Sequence, residues 1–376
     1  MKFNSFIFAA GVAAVVASCA QVSETTEVTG TVVPEGVDSV MVAIISDPVD
    51  TIMVPVVDGK WSLSVPTNVA QYGIISAGDA IVNFIPDGTQ LEVALTDSSA
   101  TVTTNDPANS VQQKLNLFNE RMLPLEEKYY ANRAAIFQND SLSREEKSAK
   151  WEEFQESFFE EYNKAAAEAF DANKDNIISV LALQDIKHDY TDAQLDSLLK
   201  LLTPALHENK LVKRMKEALE ARLETAEGKQ FKDFTVNSVV GMTRSIPPQP
   251  VYNEVKLSDY VGNGKYVLLD FWAPWCGPCR REIPNIKKVY EQYGGENFEV
   301  VSIAVWEREP VQVTIDAAYE LGMTWPQINN GQREPAEIYG VEGIPHLILF
   351  GPDGKILKRG FHGYDGILEA VSEYLD

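Results

Sequence analysis

Apolar positions between residues 28 and 105 come in short runs rich in Val, Ile and Thr, separated by Pro34-Glu35-Gly36, Asp58-Gly59-Lys60 and Pro86-Asp87-Gly88. Residues 61–65, Trp-Ser-Leu-Ser-Val, alternate with period two. This pattern predicts a small antiparallel β-domain over 28–105. From 106 to 228 the apolar spacing changes to three and four, as in Trp151, Phe154, Phe158 and Tyr162, which predicts helices with one apolar stripe packed as core. Ser143 with Glu146 and Thr191 with Gln194 carry capping-box spacing, and Pro124 is expected to kink or end the first helix. From 229 to 376 the pattern alternates. Strands are predicted at 266–272, 298–305, 346–350 and 356–359, and helices at 278–293, 311–321 and 366–375. The reading is an α/β domain with a mixed sheet flanked by helices, preceded by a helical region and an antiparallel β-domain.

The first residues follow another logic. Lys2 precedes an apolar run from Phe6 to Ala17 that is too short to span a bilayer. Val16-Ala17-Ser18-Cys19 resembles the end of a bacterial lipoprotein signal. Residues 1–18 would then be removed and Cys19 would carry lipid, with 19–27 as a polar tether. The alternative is an ordinary secretory signal cut near Ala20. Both place the mature chain outside the cytosol, and the first places it in the cell envelope, anchored to the membrane and facing the periplasm.

Charge narrows the partners. Against 32 Lys and Arg the chain has 55 Asp and Glu, a net charge of −23. Phosphate binding needs a basic face, so nucleic acid is not an expected partner, nor is an anionic lipid surface.

Candidate chemistry concentrates at one place. The chain has three cysteines, and Cys276 and Cys279 form a Cys-x-x-Cys immediately after the apolar run 266–272. A thiolate is the species that attacks a disulfide, and a helix N-terminus stabilises one through unpaired N–H groups and the helix dipole. Pro278 suits the first helical turn, where its missing donor costs little. Cys279 lies about one helical turn on and is placed to resolve a mixed disulfide held by Cys276. With no second Cys pair for a zinc ribbon, no metal is expected, and the redox pair needs no cofactor.

The segment from Asp270 to Arg280, Asp-Phe-Trp-Ala-Pro-Trp-Cys-Gly-Pro-Cys-Arg, resembles the thioredoxin active-site segment. Pro284 matches the proline inside thioredoxin's active-site helix, and residues 339–345, Tyr-Gly-Val-Glu-Gly-Ile-Pro, are similar to the approach to its cis-proline. Asp233-Phe234-Thr235, residues 255–260 and Arg281-Glu282-Ile283-Pro284 narrow the resemblance to the TlpA/ResA-like thiol:disulfide oxidoreductases. The resemblance covers about 228–376. It implies an attacking Cys276, a resolving Cys279 and an Asp270 that relays a proton to Cys279; the other reading of Asp270 is a structural carboxylate satisfied by hydrogen bonds. It implies that Trp272 and Trp275 wall the site. It also implies a cis Pro345, with Trp275, Gly277, Ile344 and Pro345 meeting an extended substrate. Two departures stand out. His346 replaces the usual threonine; a protonated ring there would join Trp272 and Pro278 in tuning the thiol, whereas a ring turned into the sheet is only a core residue. No lysine lies between Phe298 and Arg308 to match the one near thioredoxin's buried Asp.

The implied function is an exported thiol:disulfide oxidoreductase acting mainly as a reductase on periplasmic protein disulfides, apocytochrome c among the candidate clients. It would be fed by an upstream membrane thiol donor. A thioredoxin-fold peroxidase is a second reading, but the eight residues ending at Cys276 lack the Pro-x-x-x-Thr-x-x-Cys setting. A partner-binding scaffold lipoprotein with an accessory redox domain is the third.

Overall fold

The computed structural model describes residues 23–32, 34–46, 48–97, 99–246 and 249–376. The signal segment 1–18 and Cys19 lie outside the described residues. Two compact units emerge, one of residues up to Lys187 with 202–209, the other of 188–201 with Lys210–Asp376.

The first unit opens with β1 (Thr25–Val32), β2 (Ser39–Ile44), β3 (Asp50–Pro55), β4 (Trp61–Pro66), β5 (Gly73–Ala77), β6 (Ala80–Phe84), β7 (Gln90–Leu95) and β8 (Ala100–Thr104). They form two four-stranded sheets, in the orders β4-β1-β7-β8 and β3-β2-β5-β6. Inward residues such as Val28, Trp61 and Val93 from one sheet and Val42, Ile75 and Phe84 from the other share one core. This is a β-sandwich. It departs from the expected domain in two ways. The first strand begins at Thr25, inside the expected tether, and β1 pairs with β7 in parallel while the other pairings are antiparallel.

Helices follow: α1 (Val111–Phe137), α2 (Arg144–Ala172) and α3 (Ile177–Ile186). The Asp87 carboxylate accepts from the Ser110 hydroxyl at 2.5 Å and from Gln112 N at 2.9 Å, which ties the start of α1 to the sandwich. The Ser143/Glu146 capping box forms as read. Pro124 does not end α1, which runs through it. A proline removes one intrahelical bond, but Met122 and Leu125 on either side are buried against the Phe158 stripe of α2, and that packing holds the helix together.

The expected boundary at 228/229 is not where the second unit begins. That unit takes in α4 (Asp192–Leu199), whose Thr191/Gln194 capping box forms, but not α5 (Pro204–His207), and then α6 (Lys210–Glu224). A hairpin of β9 (Thr235–Met242) and β10 (Pro250–Lys256) follows. The main sheet then begins: β11 (Tyr266–Trp272), α7 (Gly277–Tyr293), β12 (Phe298–Ala304), α8 (Val311–Glu320), β13 (Gln327–Ile328), α9 (Glu334–Ile338), β14 (His346–Phe350), β15 (Ile356–Arg359) and α10 (Gly363–Leu375). The order is β13-β12-β11-β14-β15, with β11 parallel to β12 and antiparallel to β14. This is the thioredoxin-like mixed sheet.

Central β11 is covered on both faces, so its run is apolar almost throughout. Alternation sends Leu268 and Trp272 to the face packed by Ile283 of α7 and Ile367 of α10. Val267, Leu269 and Phe271 go to the opposite face, with Ile348 and Tyr339. The site chemistry emerges where β11 ends and α7 begins, the carboxyl edge of the sheet.

Candidate active site

Cys276 is the N-cap of α7 and Gly277 its first residue. The Cys279 backbone N–H donates to Cys276 Sγ at 3.1 Å. That bond and the positive end of the α7 dipole favour a thiolate on Cys276. The two sulfurs are joined in a disulfide with Cα atoms 5.3 Å apart. Both cysteines are nearly buried, at 4 % and 1 % exposure, while Gly277 and Pro278 lie exposed beside them. Pro345 follows a cis peptide bond, and the Ile344 carbonyl oxygen lies 3.6 Å from Cys276 Sγ.

Asp270 lies between Leu268 and Trp272 on β11 and therefore faces α7. It is 1 % exposed, and Ser302, its register partner on β12, donates to Oδ2 at 2.8 Å. The Trp325 indole N–H in turn donates to Ser302 Oγ at 2.8 Å. Burial pushes the Asp270 carboxyl up to about 7; the Ser302 bond opposes this and the nearby charge of Glu282 adds to it. Asp270 can therefore take up or release a proton near neutral pH. Glu282, one turn into α7, is itself buried and accepts from Gly363 N at 2.6 Å.

The two tryptophans differ. Trp272 is fully buried in the cluster that holds both cysteines. Trp275 is 39 % exposed; its indole N–H donates to the Trp306 carbonyl at 3.0 Å, and the Arg308 guanidinium stacks on its ring at 3.9 Å.

A protein-family profile described as the AhpC/TSA family matches residues 228–359. The thiol-disulfide oxidoreductase ResA of Geobacillus thermodenitrificans is 31% identical over 133 residues, 35% of this chain and 68% of that protein. The chain belongs to the ResA-like thiol-disulfide oxidoreductases. ResA of Bacillus subtilis is 31% identical over 104 residues, 28% of this chain and 56% of that protein. Across these relatives the chain spans about half to two thirds of their length. Among solved structures, the thioredoxin domain of a thiol-disulfide oxidoreductase from Bacteroides vulgatus is 27% identical, with a TM-score of 0.33, covering 40% of this chain and 99% of that domain.

Against this ResA-like frame, the structure gathers Cys276, Cys279, Trp272, Ile344 and Pro345 around one disulfide, with Trp275 at its edge and Asp270 under α7. His346 is the exception. It pairs with Phe271 across β11 and β14, with ring centroids 6.3 Å apart, so its side chain is on the sheet face opposite the cysteines. Arg359 Nη2 lies 3.3 Å from its Nε2. Desolvation first, then the positive charge of Arg359, lowers its pKa to about 3. A neutral ring on the far face cannot tune the thiol, so of the two readings of His346 the core residue holds.

Three residues of the site escaped sequence reasoning. Ser302 takes the place beside Asp270 for which a lysine was sought, and its signal was available: strands starting at 266 and 298 in parallel put 302 opposite 270. Trp325 and Arg308 carry no such signal, because the loops that bring them in have no periodicity.

Proposed function

We propose that this chain is an exported, lipid-anchored thiol:disulfide oxidoreductase that reduces disulfides of periplasmic proteins through Cys276 and Cys279. The observation that carries this reading is the Cys276 sulfur at the N-cap of α7, receiving the Cys279 N–H and facing the Ile344 carbonyl. Starting from the dithiol, the Cys276 thiolate attacks one sulfur of a client disulfide. A Cys276–client bond forms, the client S–S bond breaks, and the other client sulfur leaves as a thiolate. The Cys279 thiol passes its proton to Asp270, attacks Cys276 and closes the intramolecular disulfide, releasing the second client thiolate. Two electrons have passed to the client. A membrane dithiol donor would restore the pair by the same exchange in reverse.

The Asp270 step is supported by burial on the α7 face and by a carboxyl that titrates near 7. Export and anchoring through Cys19 rest on the N-terminal signal pattern, and the polar residues after it supply the tether. The client backbone would pair beside Ile344 and Pro345.

The test is reduction of insulin disulfides with dithiothreitol as donor. Activity above the uncatalysed dithiothreitol rate should vanish in Cys276→Ser, and pre-reduced Cys279→Ser, mixed with insulin after the dithiothreitol is removed, should accumulate a mixed disulfide on Cys276. Full activity in Cys276→Ser would end this reading. Labelling with radioactive palmitate that is lost in Cys19→Ala tests the anchor, and a soluble, unlabelled wild-type product would exclude it.

A further inference from the structure

A single guanidinium grips both ends of the segment that carries Pro345. Arg359 closes β15, and its register partner Ile348 puts it on the same sheet face as His346. Its Nη2 donates to the Tyr339 carbonyl at 2.8 Å and lies 3.3 Å from His346 Nε2. Its Nη1 donates to the carbonyl and the hydroxyl of Thr225, at 2.9 and 2.8 Å. Thr225 stands just past the end of α6, where a cation also suits the helix dipole. Tyr339 and His346 bracket residues 340–345.

Between those ends the segment has little of its own to hold it. Among the described residues, Gly343 and Ile344 make no backbone–backbone hydrogen bond, and β14 starts only at His346. The Glu342 side chain bonds Arg222 of α6 at 2.8 Å. Yet Ile344 sets its carbonyl oxygen 3.6 Å from Cys276 Sγ, so any drift of the segment is felt at the reacting sulfur. The Tyr339 end is firm: the ring is fully buried, and its hydroxyl donates to the Lys232 carbonyl at 2.7 Å.

The partners of Arg359 are two carbonyls, a hydroxyl and an imidazole nitrogen, with no carboxylate among them. What they need is a rigid fork. A guanidinium presents donors on separate nitrogens in one plane and reaches all of these groups together; an ammonium is a point charge and cannot span them.

We propose that Arg359 is a positioning residue for disulfide exchange, fixing the 340–345 segment, and with it the Ile344 carbonyl, against the Cys276 sulfur. The inference rests on the exchange chemistry read above and adds a residue that acts through this segment from the far face of the sheet. A carbonyl oxygen carries partial negative charge, so one held beside Cys276 in the reduced pair disfavours the thiolate. Releasing the clamp lets that oxygen draw away, which stabilises the thiolate and the reduced pair with it. It also leaves the client without a fixed backbone edge, and misplacement costs rate.

The experiment compares the full chain with Arg359→Ala and Arg359→Lys. It reads insulin reduction above the uncatalysed dithiothreitol rate, the midpoint potential of Cys276–Cys279 by tryptophan fluorescence, and thermal unfolding. In Arg359→Ala, kcat/KM for insulin should fall at least about tenfold. The potential should move to less negative values by at least about threefold in the equilibrium constant, or about 15 mV. Methylguanidinium at about 20 mM, far below denaturing strength, should restore kcat/KM of that variant at least about threefold by filling the vacated fork. Arg359→Lys keeps the charge but not the fork and should fall in the same direction. Variants that melt at lower temperature yet keep the wild-type potential and kcat/KM overturn the proposal, because a merely structural arginine would behave so. If Arg359→Ala does not fold, wild-type potential and kcat/KM in Arg359→Lys overturn it alone. A wild-type chain that does not reduce insulin strikes the exchange reading instead, so the two failures are distinct.

Discussion

Ser302 stands directly opposite Asp270 across the parallel pair β11–β12 and gives its hydroxyl hydrogen to the buried carboxylate at 2.8 Å. That hydroxyl also accepts the Trp325 indole N–H, so it orders two groups at once. Where the resemblance led one to look for a lysine, a neutral donor stands instead. A neutral donor opposes desolvation only weakly, and the carboxyl accordingly remains up at about 7.

Ser302→Ala should raise the Asp270 titration above that value, because the one bond holding it down is removed. It also leaves the Trp325 N–H without its acceptor, at a cost of about 1–3 kcal/mol. Ser302→Thr keeps a hydroxyl and should restore most of the wild-type midpoint. Carbon-13 carboxyl titration by NMR on the oxidised chain reads the midpoint, and thermal unfolding reads the stability. A midpoint unmoved in the alanine variant would mean that the Ser302 bond does not govern this carboxyl.

Asp270 also makes a pH-dependent contribution to folding. Its folded-state value is raised from 3.8 to about 7, so the folded chain holds this proton more tightly than the unfolded chain does. The contribution is fully present below about 3.8 and is lost as pH rises through about 7. Above that, an ionised carboxylate is buried, and the displacement corresponds to roughly 4 kcal/mol. Asp270→Asn cannot ionise. Relative to wild type it should gain stability between pH 5 and pH 8, by up to a few kcal/mol. Urea unfolding of both oxidised chains at the two pH values checks this, and a constant difference between them would contradict it.

How much of this was legible before the structure depends on what each element rests on. The strands at 266–272, 346–350 and 356–359 are found as read, because a buried strand with β-branched and aromatic residues leaves a strong local mark. The disulfide, the N-cap position of Cys276 and the cis Pro345 follow from the motif and its resemblance. The hairpin β9–β10 went unread: its exposed β10 residues show no apolar alternation. The division of the helical region was also unread. Whether α6 packs with the sandwich or with the thioredoxin-like sheet is decided by the contacts of Arg222 with Glu342, Thr225 with Tyr339 and Gly340 with Ala218, each spanning more than a hundred residues of sequence. No local pattern encodes those partners.

His346 supplies a last prediction, because position along the chain and position in space disagree. In sequence it adjoins Pro345, yet strand alternation turns its ring away from the cysteines and towards Phe271 and Arg359. With its pKa lowered to about 3, it is neutral throughout pH 5–8 and contributes no charge to the thiolate. His346→Gln should therefore leave the midpoint potential of Cys276–Cys279 within about 10 mV of wild type, a factor of about two in the equilibrium constant. Tryptophan fluorescence in defined glutathione or dithiothreitol redox mixtures reads that potential. A protonated imidazole at the thiol would stabilise the reduced form, so its loss would move the potential to more negative values. A shift of about 30 mV or more in that direction, tenfold in the equilibrium, would return His346 to the active site.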